Sequence, residues 1–183
     1  MPAKMASLEK KFKELLRELK WRYRNHHFFS EILSELKEIE IEFNKDIKTA
    51  HIKRTPAETI KIEISPHFFS TYVKTPEDLL FLLSHETLHY ILGHLTSEGQ
   101  RLEKEYGHKI ANAAMDIIIN QMIYRELRGE KLHIINFYKE KLGCPHSLFV
   151  PPYKIKPRQF KKEECKKWYD MIISYSGGRK SWK

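Results

Sequence analysis

A chain of 183 residues with 41% hydrophobic and 31% charged side chains is long enough to bury one sizeable core and too apolar for intrinsic disorder. Seven glycines, no Gly/Ser-rich tract and no internal repeat argue for one domain rather than linked modules or a repeat array. The formal net charge of +9 permits attraction to nucleic acid or acidic surfaces, but the lysines are spread widely, as on solvated helix faces.

The opening Met1-Pro2-Ala3-Lys4 leads straight into a charged amphipathic stretch with no apolar signal segment, and the expected location is cytoplasmic. Cys144 and Cys165 then read as reduced thiols. The longest apolar runs are broken by His85, Glu86 and His89 and by Asp116 and Asn120, which makes neither suited to crossing a bilayer.

Leu8, Phe12, Leu15, Leu16 and Leu19 recur at helical spacing and predict an amphipathic helix over about 7–23. Phe29, Ile32, Leu33, Leu36 and Ile39 predict a second over about 28–40. Residues 49–54 and 59–64 are rich in β-branched side chains, with Ile60, Ile62 and Ile64 alternating, and they predict a hairpin that turns at Thr55-Pro56-Ala57-Glu58 and ends at Pro66.

Thr75-Pro76-Glu77-Asp78 announces a helix: a threonine cap, a proline at the first position and two acids at the positive end of the dipole. That helix runs over 79–92, where Gly93 weakens or ends it. A polar connection follows over 97–107, then a helix over 108–127. Pro145, Pro151, Pro152 and Pro157 predict irregular structure over 130–159, and a last short helix covers about 161–174.

The chemistry lies in His85-Glu86-Thr87-Leu88-His89. Two histidines four residues apart stand about 40° apart on a helix, one turn above the other, so both imidazoles can reach one zinc ion. Glu86 projects about 100° further round, where it is free to act as base toward a zinc-bound water rather than as a ligand. The pattern alone arises in roughly one shuffled sequence of this composition in twenty, so its context matters. Here it interrupts the apolar run of Leu79–Leu83, Leu88, Ile91 and Leu92, where unpartnered polar groups cost several kcal/mol.

A catalytic zinc site takes three protein ligands. On the 108–127 helix, Asn112, Asp116 and Asn120 form a polar stripe every four residues against an otherwise apolar surface. A buried carboxylate without a lysine or arginine on its face calls for a cation, which makes Asp116 the candidate third ligand. The competing roles for Asp116 are an acceptor orienting His85 or His89, or a packing carboxylate. His94 is the rival ligand. It lies about 180° from His85 if the helix continues unbroken, but a turn at Gly93 can redirect it.

These residues resemble a zincin metallopeptidase. The likeness is to a bacterial metallopeptidase-domain family often followed by a von Willebrand A-like domain. It rests on His85–His89, Gly93-His94-Leu95, Asn112-x-Ala114-x-Asp116 with Asn120, and Ile62–Pro66 running into His67-Phe68-Phe69. It covers about residues 45–127 and includes no von Willebrand A-like part. The resemblance implies an α+β, zincin-like metallopeptidase core with a small sheet packed on the motif helix, an edge strand able to hold an extended peptide, and Asp116 as ligand by position. Residues 1–43 then form N-terminal helices and 128–183 a C-terminal extension of a single domain.

The expected function is zinc-dependent hydrolysis, as a peptidase acting on a peptide or protein, with Glu86 as base. The strand around Ile60–Ile64 is the expected pairing partner for substrate. Tyr106, His108 and Tyr124 are candidates for the oxyanion donor. The alternatives are a nucleic-acid-associated zinc protein, suggested by the charge and by Tyr153, Phe160, Trp168 and Tyr169, and a zinc-binding scaffold without turnover. Cys144 and His146, separated by Pro145, read as loop residues rather than a second metal contact.

Overall fold

The first helix and the motif helix pack together, and both carry the apolar residues whose spacing is set in the sequence. The structure is a computed structural model describing residues 2–127 and 132–137. Within these residues it is a mixed α+β fold of six helices and one three-stranded sheet. The elements are α1 (Pro2–Arg22), α2 (His27–Glu35), β1 (Glu40–Phe43), β2 (Ala50–Arg54) and β3 (Ile60–Ile64). They continue with α3 (Pro66–Tyr72), α4 (Pro76–Ile91), α5 (Ser97–Tyr106) and α6 (His108–Glu126). The predicted 161–174 helix, most of the 130–159 segment, both cysteines and His146 lie outside the described residues, as do Tyr153, Phe160, Trp168 and Tyr169.

The sheet has the order β1-β3-β2, with β1 parallel and β2 antiparallel to β3. The hairpin closes through Thr55 N–H to Thr59 O (2.8 Å) and Glu58 N–H to Thr55 O (2.9 Å). Pleating puts Ile41, Phe43, Ile52, Ile60, Ile62 and Ile64 on one face, where the last four are buried. Glu40, Glu42, His51, Lys53, Lys61 and Glu63 share the other, where Glu63 bridges Lys53 (2.6 Å) and His51 (2.9 Å).

Three expectations change. The second helix ends at Glu35 rather than near residue 40, because Glu40–Phe43 peel away to pair with Lys61–Ile64 as β1. Leu36 and Ile39 stay buried in either conformation, so hydrophobic spacing could not separate the two. Pro66 does more than end a strand: Ser65 caps α3, with Pro66 in its first turn. The polar connection over 97–107 is largely helix α5, which lacks an apolar stripe and is laced by Arg101 to Glu98 (2.6 Å) and Glu105 (3.3 Å).

Helix α4 is the axis of the fold and is buried continuously from Pro76 to His89. It packs against α1, α2, α6 and β2. A capping box starts it: Asp78 N–H donates to Thr75 Oγ1 (3.2 Å), and Thr75 N–H donates to Asp78 Oδ2 (3.0 Å). Asp78 is fully buried and also accepts from Lys74 N–H (2.9 Å), His133 N–H (2.6 Å) and Ile134 N–H (3.1 Å), with His133 Nδ1 at 3.1 Å. Its neighbour Glu77 receives Arg22 of α1 at 2.7 Å. Among the described residues no helix is long and apolar enough to cross a membrane.

Candidate metal centre

His85 and His89 sit one turn apart on α4, both buried, with ring centroids 4.9 Å apart. The ring of His85 lies nearly parallel to Phe81, one turn earlier. Facing them across the α4–α6 contact is Asp116. Its Oδ1 lies 3.0 Å from His89 Nε2 and 3.5 Å from His85 Nε2, and the two Nε2 atoms are 3.2 Å apart. The structure thus brings His85, His89 and Asp116 into one group, as the spacing on two separate helices suggested, and this group can hold a metal ion.

Two physical features support that statement. Donors around a tetrahedral ion with bonds of about 2 Å are roughly 3.3 Å apart, which matches all three separations. Asp116 Oδ1 is also buried, and although both rings are close, no N–H is aligned on it as a hydrogen bond. Three such atoms converging on one point need a positive charge between them, a proton on a ring in the metal-free protein or a metal ion in its place. Ser84 Oγ, Thr87 Oγ1 and Asn120 Nδ2 likewise lack hydrogen-bond partners among the described residues.

Each of the three side chains is held from behind. Asn120 Oδ1 lies 2.8 Å from His85 Nδ1, Asn112 Nδ2 donates to Asp116 Oδ2 at 3.1 Å, and His94 Nδ1 lies 2.9 Å from His89 Nδ1. The asparagines of the α6 stripe therefore hold the ring and the carboxylate rather than joining the group. Gly93, at φ +75, does turn the chain, but it delivers His94 to the far side of the His89 ring. Nothing in the sequence beyond that glycine signals the His89–His94 contact.

Electrostatics follow from the crowding. Burial lowers the His85 pKa, but the adjacent Asp116 carboxylate, with Glu86 and Asn120, outweighs it and raises the pKa to about 9 in the metal-free protein. Burial raises Asp116, yet His85 and His89 hold it well below the usual carboxylate range. Glu86 is buried and its pKa is raised, chiefly by desolvation, against the lowering influence of His85, His89 and His51. Burial, with His89 and His85, depresses His94 to about 4.

The α6 surface is less uniformly buried than its composition suggested, since Asn112 and Ile118 are exposed and Asp116 keeps 13% of its side-chain surface open. The small exposed part of Asp116 lies away from Oδ1, the atom facing the rings, which is buried. Of the proposed oxyanion donors, His108 is exposed and pairs with Glu103 (3.0 Å), about 12 Å along α6 from Asp116. Tyr124 stands as far beyond it, and Tyr106 is exposed at the end of α5.

The strand expected to receive substrate is corrected. Ile60–Ile64 is β3, the centre of the sheet, hydrogen-bonded to β1 on one side and β2 on the other, so it has no edge to offer. The strand packed against α4 is β2. Because Thr55 bonds Thr59 and Thr49 bonds Ser65 across the hairpin, alternation leaves the backbone groups of Ala50, Ile52 and Arg54 pointing away from β3. Comparison of the chain with family models, with curated proteins and with solved structures finds no match in any of the three.

Proposed function

We propose that this protein is a zinc-dependent hydrolase of the peptidase type with a zincin-like core, in which His85, His89 and Asp116 hold the ion and Glu86 is the base. The observation that carries the reading is the convergence of three lone-pair donors 3.0, 3.2 and 3.5 Å apart, with Asp116 Oδ1 left without a hydrogen bond. Two imidazole nitrogens and one carboxylate oxygen are a donor set that suits zinc, and three protein ligands leave a position for chemistry. When bound, zinc supplies a Lewis acid that polarises a carbonyl and acidifies water.

The chain supplies the rest. Glu86 follows His85 on α4, is not one of the grouped donors, and has a pKa lifted by burial toward the range useful for a base near neutral pH. It takes the proton of the attacking water and returns it to the leaving amine. An extended peptide adds to the outer edge of β2, where the backbone groups of Ala50, Ile52 and Arg54 provide the ladder. Adding a strand there brings the scissile bond beside α4, because β2 packs on that helix.

The test pairs metal content with cleavage of a peptide library. Glu86→Gln is expected to retain one zinc per chain while cleavage falls by at least about 100-fold. Wild-type turnover in that variant removes Glu86 as the base. A wild-type protein that takes up no zinc removes the hydrolase reading itself.

A further inference from the structure

An imidazole that binds metal through Nε2 must carry its proton on Nδ1, and something has to hold that proton there. For His85 the partner is evident: the Asn120 oxygen can only accept, so the Nδ1 2.8 Å away carries the hydrogen and Nε2 faces the group. For His89, the atom opposite Nδ1 among the described residues is a second imidazole nitrogen, His94 Nδ1, at 2.9 Å. One hydrogen lies between the two. If His94 owned it, His89 would carry its own proton on Nε2, pointing into the space shared with His85 and Asp116.

We propose that His94 is the positioning residue of the metal centre: its Nδ1 accepts the Nδ1 proton of His89 and so leaves the His89 Nε2 lone pair facing Asp116 and His85. The inference rests on the metal-site reading above, but it concerns the protonation pattern of the chain itself.

The fold fixes His94 for this role through its backbone. Helix α4 stops at Ile91, Gly93 turns at φ +75, and His94 N–H reaches back to His89 O at 2.9 Å. A residue with a side chain pays a steric penalty at that φ. Helix α5 is then seated directly on the turn: a Cβ at Gly99 would lie 2.1 Å from His94 O, so only glycine allows the approach. With its backbone clamped from both sides, His94 meets the His89 ring at an interplanar angle of 71° with centroids 5.0 Å apart. Helix α5, which packs along α6, thereby also braces the turn that carries His94.

The experiment is histidine 15N NMR on the metal-free and zinc-loaded protein, with zinc affinity measured by chelator competition. His89 is expected as the Nδ1–H tautomer in the wild type. In His94→Asn, whose side-chain oxygen can reach the place of Nδ1, that tautomer is kept and zinc affinity stays within about 3-fold. His94→Leu is expected to lose the fixed tautomer and to bind zinc about 10- to 100-fold more weakly, still at one ion per chain. A wild-type His89 with its proton on Nε2 overturns the proposal without any variant. Loss of stoichiometric zinc in both variants also overturns it, because His94 would then be a ligand. A wild-type protein that binds no zinc refutes the metal-site reading, while the His89 tautomer still decides this one.

Discussion

Helix α4 carries two buried polar clusters, one at each end, and they are satisfied in opposite ways. At its start, Asp78 is fully buried and surrounded by hydrogens: four backbone N–H groups point at its two oxygens, with the His133 ring beside them. At its other end, His85 Nε2, His89 Nε2 and Asp116 Oδ1 converge with no backbone N–H among them, so a proton or a metal ion has to lie between them. The first cluster is complete within the protein. The second is complete only with a cation. A buried carboxylate is therefore no sign of function by itself; what distinguishes these two is whether donors or acceptors surround it.

The sharpest way to break the comparison is to remove one acceptor from each cluster. Asp116→Ala is expected to weaken zinc binding roughly 100- to 1,000-fold, about one ligand's share of a binding free energy on the order of 10 kcal/mol. Full stoichiometry in that variant, measured by metal analysis after dialysis, would remove Asp116 from the site. Asp78→Ala strands several buried N–H groups and is expected to cost about 3 kcal/mol or more of stability in denaturant titration. The folded fraction of that variant should bind zinc as the wild type does. A change in affinity would mean that the two ends of α4 are not independent.

Protonation offers a gentler probe. The pKa of His85 in the folded, metal-free protein is raised to about 9, above the ordinary histidine value near 6.5. Its contribution to stability is therefore fully present below pH 6.5 and is lost as pH rises through about 9. The metal-free protein is expected to lose about 3 kcal/mol across that window, read as a falling Tm. Zinc must displace the same proton, so affinity should rise over the same range; a flat affinity profile would contradict a His85 ligand. The smallest effect is expected from Arg22→Ala at the other end. Its partner Glu77 is largely buried, but the guanidinium is 44% exposed, and an exposed ion pair contributes about 0.2–1 kcal/mol.

Much of the frame was legible because it depends on neighbours in sequence. Thr75-Pro76-Glu77-Asp78 specified the start of α4, with its threonine cap and first-turn proline, and the structure adds that Asp78 returns the cap. Alternating isoleucines around a turn specified the β2–β3 hairpin, and the apolar run broken by Asn112, Asp116 and Asn120 specified α6. Elements without a local signature were missed. Strand β1 exists because β3, some twenty residues later, offers an edge, and α5 is a polar helix held by ion pairs and by the close approach at Gly99.

The same division runs through the site. By itself the sequence determined that His85 and His89 share one face of a helix, that Glu86 lies beside them, and that a lone carboxylate waits on another apolar helix, because helical geometry converts spacing directly into direction. Only the tertiary structure decided which donors meet. It placed Asp116 Oδ1 within 3.5 Å of both rings, sent His94 behind His89 instead of beside it, and made β2 rather than β3 an edge strand among the described residues. Those outcomes depend on how α4 packs against α6 and on a turn at positive φ, and contacts between distant segments leave no periodic trace along the chain.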